Sequence, residues 1–193
     1  MTVLLIHGGL GEDIGADRFW VQPGVVAGLD ALGFDVLAPD RTTTPVSWPG
    51  SATDLAPLLA GPSTVVAGSN GVSVALRLAL DHAEQVERLV LLWPATAGDA
   101  SIDARVPAEA QHLLTGETIR GVDDAELRRL RIPVAVMASE PENPFHQHRT
   151  VDRLLELIDG SCRVEPGCPE SPRPEFADHR ADFLAAIRPH LGP

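Results

Sequence analysis

One short segment carries more chemistry than any other. In "VVAGSNGVSVAL", residues 65 to 76, a β-branched apolar run passes through small residues and leaves on a helical pattern. A strand that turns at once into a helix tolerates only small side chains around its tip, and Ala67, Gly68 and Gly71 supply them. The residue at the tip, Ser69, is thrust out of the sheet beside the N-terminus of the helix, where partial positive charge gathers. A hydroxyl so placed suits nucleophilic attack with an anion site beside it; an ordinary strand-to-helix turn, or a phosphate-binding loop, accounts for the same residues.

A serine hydroxyl is a weak nucleophile at neutral pH and needs a neighbouring base, which in turn needs an orienting acid. Past Glu142 there are four histidines, His146, His148, His179 and His190. His190 lies near the far end of the last helical segment, roughly 16 Å from its first turns at 1.5 Å per residue. His146 and His148 form an H-x-H pair; as a metal site it lacks a third ligand at any suggestive spacing. His179 shares a three-to-four spacing with Phe176, Phe183 and Ile187, which predicts that it lies on the face turned to the protein body. A helix that returns after a parallel strand begins at the edge that carries Ser69, so His179 is the expected base and His146 the alternative. No metal or other cofactor is called for.

These residues must be positioned by a sheet. Five buried-strand patterns occur, "VLLIH" (3–7), "FDVLAP" (34–39), "STVVAG" (63–68), "RLVLLWP" (88–94) and "IPVAVMAS" (132–139), with a weaker sixth at 161–167. Helical periods occupy about 19–32, 70–83, 149–158 and 174–191, and a polar, proline-rich stretch lies at 41–60. Alternation of this kind predicts an α/β fold with a mostly parallel sheet of about six strands and helices on both faces. The 193 residues suit a single domain, 1–193, in which residues 95–130 leave the sheet as a small cap or excursion on the side where ligands of open α/β sheets bind.

The chain resembles the α/β-hydrolase family over nearly its whole length, Val3 to about Leu191. A-G-S-N-G, Ala67 to Gly71, stands for the family's G-x-S-x-G with alanine for the first glycine. "LLIHGG" resembles its HG-x loop, and "APDRTTTP" a loop that often reads PDxxGxG, without the glycines. The resemblance implies a compact serine hydrolase lacking the family's first two strands, with the Gly9 and Asn70 amides as the oxyanion hole and His7 structural. It further implies the order Ser, acid, His. Ser139-Glu140-Pro141-Glu142 resembles the family's G-E-x-D, which puts Glu142 in the acid position and Glu140 in reserve. Where the family has G-x-G-H after the last strand, "PGCPESPRPEF" sets Glu170 instead.

The implied activity is hydrolysis of a small carboxylic ester or thioester by a Ser69, His179 and Glu142 triad. Trp93 and Leu10 are expected around a shallow pocket, with ordinary core packing an equal alternative for Trp93. The missing histidine leaves open a non-catalytic, hydrolase-like binding protein; a lyase or cyclase using the same pocket is a third reading. The partner expected is a small molecule. A net charge of -12 disfavours nucleic acid. The absence of lysine among the fifteen basic residues reads as a GC-rich genome rather than a function. No run approaches the roughly 20 apolar residues of a membrane span, and "MTVLLIHGGL" reads as a strand rather than a leader, so no membrane partner and a cytoplasmic location are expected. Cys162 and Cys168 are expected to be idle thiols.

Overall fold

The computed structural model describes residues 1–192. Six strands, β1 (Thr2–Ile6), β2 (Asp35–Leu37), β3 (Ser63–Gly68), β4 (Val86–Leu92), β5 (Val134–Ser139) and β6 (Cys162–Cys168), form one sheet in the order β2-β1-β3-β4-β5-β6. Every pairing is parallel. Parallel pairing puts every strand's C-terminus on one edge, where Ser69 follows β3.

Both faces of the sheet are dry because successive residues point to opposite sides and both sides are apolar. Leu4, Ile6, Val65 and Ala67 enter one core, with helices α2 (Trp48–Leu55), α3 (Gly71–Asp81) and α6 (His148–Leu157). Val3, Leu5 and Val66 enter the other, with α1 (Val25–Ala31) and α7 (Phe176–Ile187). Residues 95–130 hold the short helices α4 (Ala100–Asp103) and α5 (Asp124–Leu127), and Ala110, Ile119, Val122 and Leu127 join the α2–α3 core. No helix among the described residues is long and apolar enough to cross a membrane. Cys162 and Cys168 are both free.

Two helices depart from the periodic reading. The pattern at 19–32 is split: a wide turn at Asp17–Val21, closed by Gln22 N–H to the Asp17 carbonyl, gives way to α1 after Gly24 at φ +81°. Pro23 has no N–H with which to continue the ladder, and glycine accepts the left-handed backbone. Conversely, α2 lies inside the proline-rich stretch. Its Ser47 hydroxyl caps the Gly50 N–H, and Pro49 falls in the first turn, where a missing N–H costs nothing.

The turn after β3 brings α3 down onto β1. A Cβ at Gly71 would lie 2.6 Å from the carbonyl oxygens of both Ile6 and His7. Backbone on both sides cannot yield, so Gly71→Ala should destabilise the protein by about 1–3 kcal/mol. The check is a lowered denaturant midpoint at unchanged slope.

Candidate active site

Ser69 stands at φ +53°, a left-handed conformation uncommon outside glycine. Strain of about 1–3 kcal/mol persists at such a residue only where its surroundings fix it. Here its N–H is held by the Leu92 carbonyl at 3.0 Å and its own carbonyl accepts the Val72 N–H at 3.0 Å. Beneath it, Phe19 and Trp20 pack edge to face, and Trp93, Phe176 and Phe183 continue the aromatic cluster. A Cβ at Gly8 would come within 2.8 Å of both Phe19 and the Ser69 Cβ, so the His-Gly-Gly loop can lie against the elbow only with glycine there.

The ring that meets Ser69 is His146. Its Nε2 lies 2.9 Å from the Ser69 Oγ, and its Nδ1 lies 2.7 Å from Oε1 of Glu170. The carboxylate fixes the tautomer, with the proton on Nδ1 and Nε2 free to accept from the hydroxyl. Glu170 is held in turn by the Ser139 hydroxyl at 2.8 Å and the Asn143 Nδ2 at 2.5 Å, both on Oε1, while Arg173 Nε lies 2.6 Å from Oε2 without hydrogen-bond alignment. Burial acts to raise the Glu170 carboxyl, but the adjoining His146 ring, with the Ser139 hydroxyl, holds it down to about 2.

His146 reaches Ser69 from the loop after β5. That loop is pinned at Thr96: the Thr96 N–H donates to the Phe145 carbonyl at 2.8 Å, and the Gln147 N–H to the Thr96 hydroxyl at 3.0 Å. The Asn143 carbonyl accepts the His146 N–H and its side chain accepts the Phe145 N–H, turning the loop on itself.

The expected acid and base stand elsewhere. His179 is exposed on α7 and makes no contact with Ser69 among the described residues, while Phe176, Phe183 and Ile187 are buried as expected. At 100° per residue His179 falls about 60° from Phe176, on the shoulder of the apolar stripe rather than its centre. Glu142 is exposed, and its carboxylate accepts the His148 N–H at 2.7 Å, the role of a cap on α6. Glu140 contacts His148 at 3.2 Å, and the His148 Nε2 lies 3.0 Å from the Ser139 carbonyl, so the H-x-H pair diverges. His190 is near Cys162, on another part of the molecule.

Gly9 and Asn70 line the same cavity as Ser69, His146 and Glu170, about 320 Å³ in volume. Neither backbone N–H has a hydrogen-bond partner among the described residues, and that of Asn70 lies at the N-terminus of α3. His7 is buried with both ring nitrogens engaged, Nδ1 to the Gly8 carbonyl and Nε2 accepting the Arg41 N–H. Burial, then the nearby Arg41 charge, lowers its pKa and keeps the ring neutral. The Arg41 guanidinium donates to the carbonyls of His7, Gly8 and Gly9, each at 2.9 Å, and clamps the loop. Trp93 and Leu10 do not line the cavity. Trp93 is fully buried with its indole N–H on the Cys168 carbonyl, and Leu10 is in the α2–α3 core.

The architecture matches solved structures across the chain. The putative non-heme bromoperoxidase BpoC from Mycobacterium tuberculosis H37Rv superposes with a TM-score of 0.75 at 15% identity, covering 98% of this chain and 91% of that one. The meta-cleavage product hydrolase CumD from Pseudomonas fluorescens IP01 gives 0.72 at 18%, covering 98% and 91%. The carboxylesterase CesB from Bacillus subtilis gives 0.64 at 19%, covering 95% and 83%. The fold is that of the α/β-hydrolases. No protein-family model matches the sequence, and no curated protein matches it. At such low identity the likeness speaks for the α/β-hydrolase fold alone, and the site rests on its own geometry.

Glu170 supplies a test. A carboxyl held at about 2 when folded, against an ordinary 4.5, contributes stability that is fully present above 4.5 and lost as pH falls through 2. Glu170→Gln should therefore lower stability at neutral pH and flatten its dependence between those limits, as read from unfolding curves across that range.

Proposed function

We propose that the protein is a serine hydrolase that cleaves a small carboxylic ester or thioester through an acyl-enzyme. The observation that carries this reading is the continuous relay from the Ser69 Oγ through the His146 ring to Glu170, at 2.9 and 2.7 Å. Ser69 attacks the acyl carbon as His146 Nε2 takes its proton, and Glu170 stabilises the imidazolium that forms. The oxyanion is received by the N–H groups of Gly9 and Asn70, each worth about 3 kcal/mol in the transition state. Collapse expels the alcohol or thiol, which leaves with the proton from His146. Water then attacks the acyl-enzyme, gives a proton to the same nitrogen, and the released Ser69 recovers it.

The roles of acid and base are thus exchanged between loops relative to the order that the family resemblance implies. His146 follows β5, where the acid was expected, and Glu170 follows β6, where the histidine was expected. A binding protein without a base was suggested by the missing histidine. His146 at bonding distance from Ser69 supports the catalytic reading over that one. Several of the structural neighbours are named as hydrolases or esterases, which agrees with the proposal without adding to it.

A fluorophosphonate probe and p-nitrophenyl ester hydrolysis test the assignment together. Ser69→Ala and His146→Ala should each lose about a thousandfold or more in kcat/KM, and Ser69→Ala should take no label. Glu170→Gln should lose about a hundredfold or more, whereas Glu142→Gln and His179→Ala should stay within about twofold of wild type. Undiminished hydrolysis by Ser69→Ala would refute the mechanism, and undiminished hydrolysis by His146→Ala would refute the base.

A further inference from the structure

The cavity beside Ser69 is lined by three arginines, Arg18, Arg120 and Arg173, in a chain whose net charge is -12. Two of them have simple explanations. Arg173 sits against the Glu170 carboxylate, and Arg18 is exposed at the rim, with no carboxylate within 4 Å among the described residues. Arg120 is different. It comes from the 95–130 excursion, at a turn closed by the Ile119–Val122 bridge, and only 4% of it is exposed.

Its guanidinium is held from two sides. Nη1 donates to the side-chain oxygen of Asn70, the residue after the nucleophile, at 2.8 Å, and Nη2 donates to Asp103 Oδ1 at 3.1 Å. Nε is buried with no partner. A guanidinium has five N–H donors, so these two bonds leave three unspent. Removing such a group from water without completing its hydrogen bonds is costly, and an orphaned buried donor calls for a cause. Burial already lowers the Arg120 pKa, against the opposing pull of Asp103. Asp103 is itself 22% exposed and engages only one arm of the fork. What remains is a fixed planar cation, tied to the residue next to Ser69 and bordering the reaction cavity.

We propose that Arg120 anchors an anionic subsite, so that the substrate of Ser69 is an ester or thioester bearing a free carboxylate. A planar two-oxygen anion matches the second N–H of Nη1 and of Nη2, which the bonds to Asn70 and Asp103 leave over. Arg18 at the rim adds attraction on approach. This reading of the substrate rests on the catalytic role given above to Ser69; the subsite itself does not.

Matched esters decide the question. Monomethyl adipate against dimethyl adipate places the carboxylate on the acyl side, and 4-acetoxybenzoate against its methyl ester places it on the leaving group. In wild type, kcat/KM should favour the anion by about tenfold or more in at least one pair, the effect of one or two charge-assisted hydrogen bonds. Arg120→Gln should bring that ratio close to one, and Arg120→Lys should restore part of it. A wild-type ratio at or below one in both pairs overturns the subsite while leaving the hydrolase intact, and that comparison needs no variant to fold. An unchanged ratio in a folded Arg120→Gln protein also overturns it. Calorimetric titration of Ser69→Ala protein with the same four compounds reads binding without turnover. If no ester is cleaved and Ser69 takes no label, the catalytic reading fails. The subsite then stands on anion binding about tenfold tighter than that of the neutral partner and weakened by adding Arg120→Gln, and falls if the two bind alike.

Discussion

A left-handed backbone at Ser69 is the constraint on which the site depends. It sets the hydroxyl above the sheet edge, and it must be enforced by packing because the residue does not favour it. The enforcement comes from three directions: the hydrogen bond to Leu92 on the neighbouring strand, the aromatic cluster below, and the close approach of α3 to β1 permitted by Gly71. Of these groups only Phe19 also lines the cavity; the others stand behind the reacting atoms. They hold the oxygen still, which makes a 2.9 Å contact with an imidazole available before any ligand arrives.

Sheet order then arranges the relay. Ser69 leaves β3, His146 leaves the loop after β5 and Glu170 the loop after β6, so the three side chains follow one another in the direction in which the strands are laid down. Neighbouring strands lie about 4.8 Å apart. A histidine from β5 therefore starts nearer the serine than one from β6, and the carboxylate behind it is one strand further out. The arrangement asks only that the imidazole stand between hydroxyl and carboxylate. Which loop supplies which partner is free, provided that both loops open on the same edge.

That freedom explains what was legible in the sequence. The strands were readable because buried parallel strands are continuous apolar runs, and the elbow because a sharp strand-to-helix turn restricts residue size. The customary order of acid and base points to Glu142, and a helical stripe points to His179, which sits on its shoulder rather than its centre. Two residues pointed the other way: a histidine in the loop expected to hold the acid, and a glutamate near the place expected to hold the histidine. Taken singly each is a departure from the family pattern, but together they are complementary and describe an exchange. Arg120 left no such trace, since its burial depends on how an irregular excursion folds against Asn70, which no periodicity encodes.

Arg41 and Arg120 show how the same side chain can serve opposite ends. Arg41 donates to four backbone carbonyls, those of His7, Gly8, Gly9 and Thr42. Burial pushes its pKa down to about 10, low for arginine yet well above neutral pH, so the charge persists. Three of those bonds go to the loop that carries the Gly9 amide, and its work is to fix that loop. Arg120 is the more deeply buried of the two but spends only two donors, one of them on a side chain that adjoins the nucleophile. An arginine buried with unmet N–H groups costs stability. One that keeps donors in reserve at the edge of a reaction cavity is arranged for an acceptor that comes and goes.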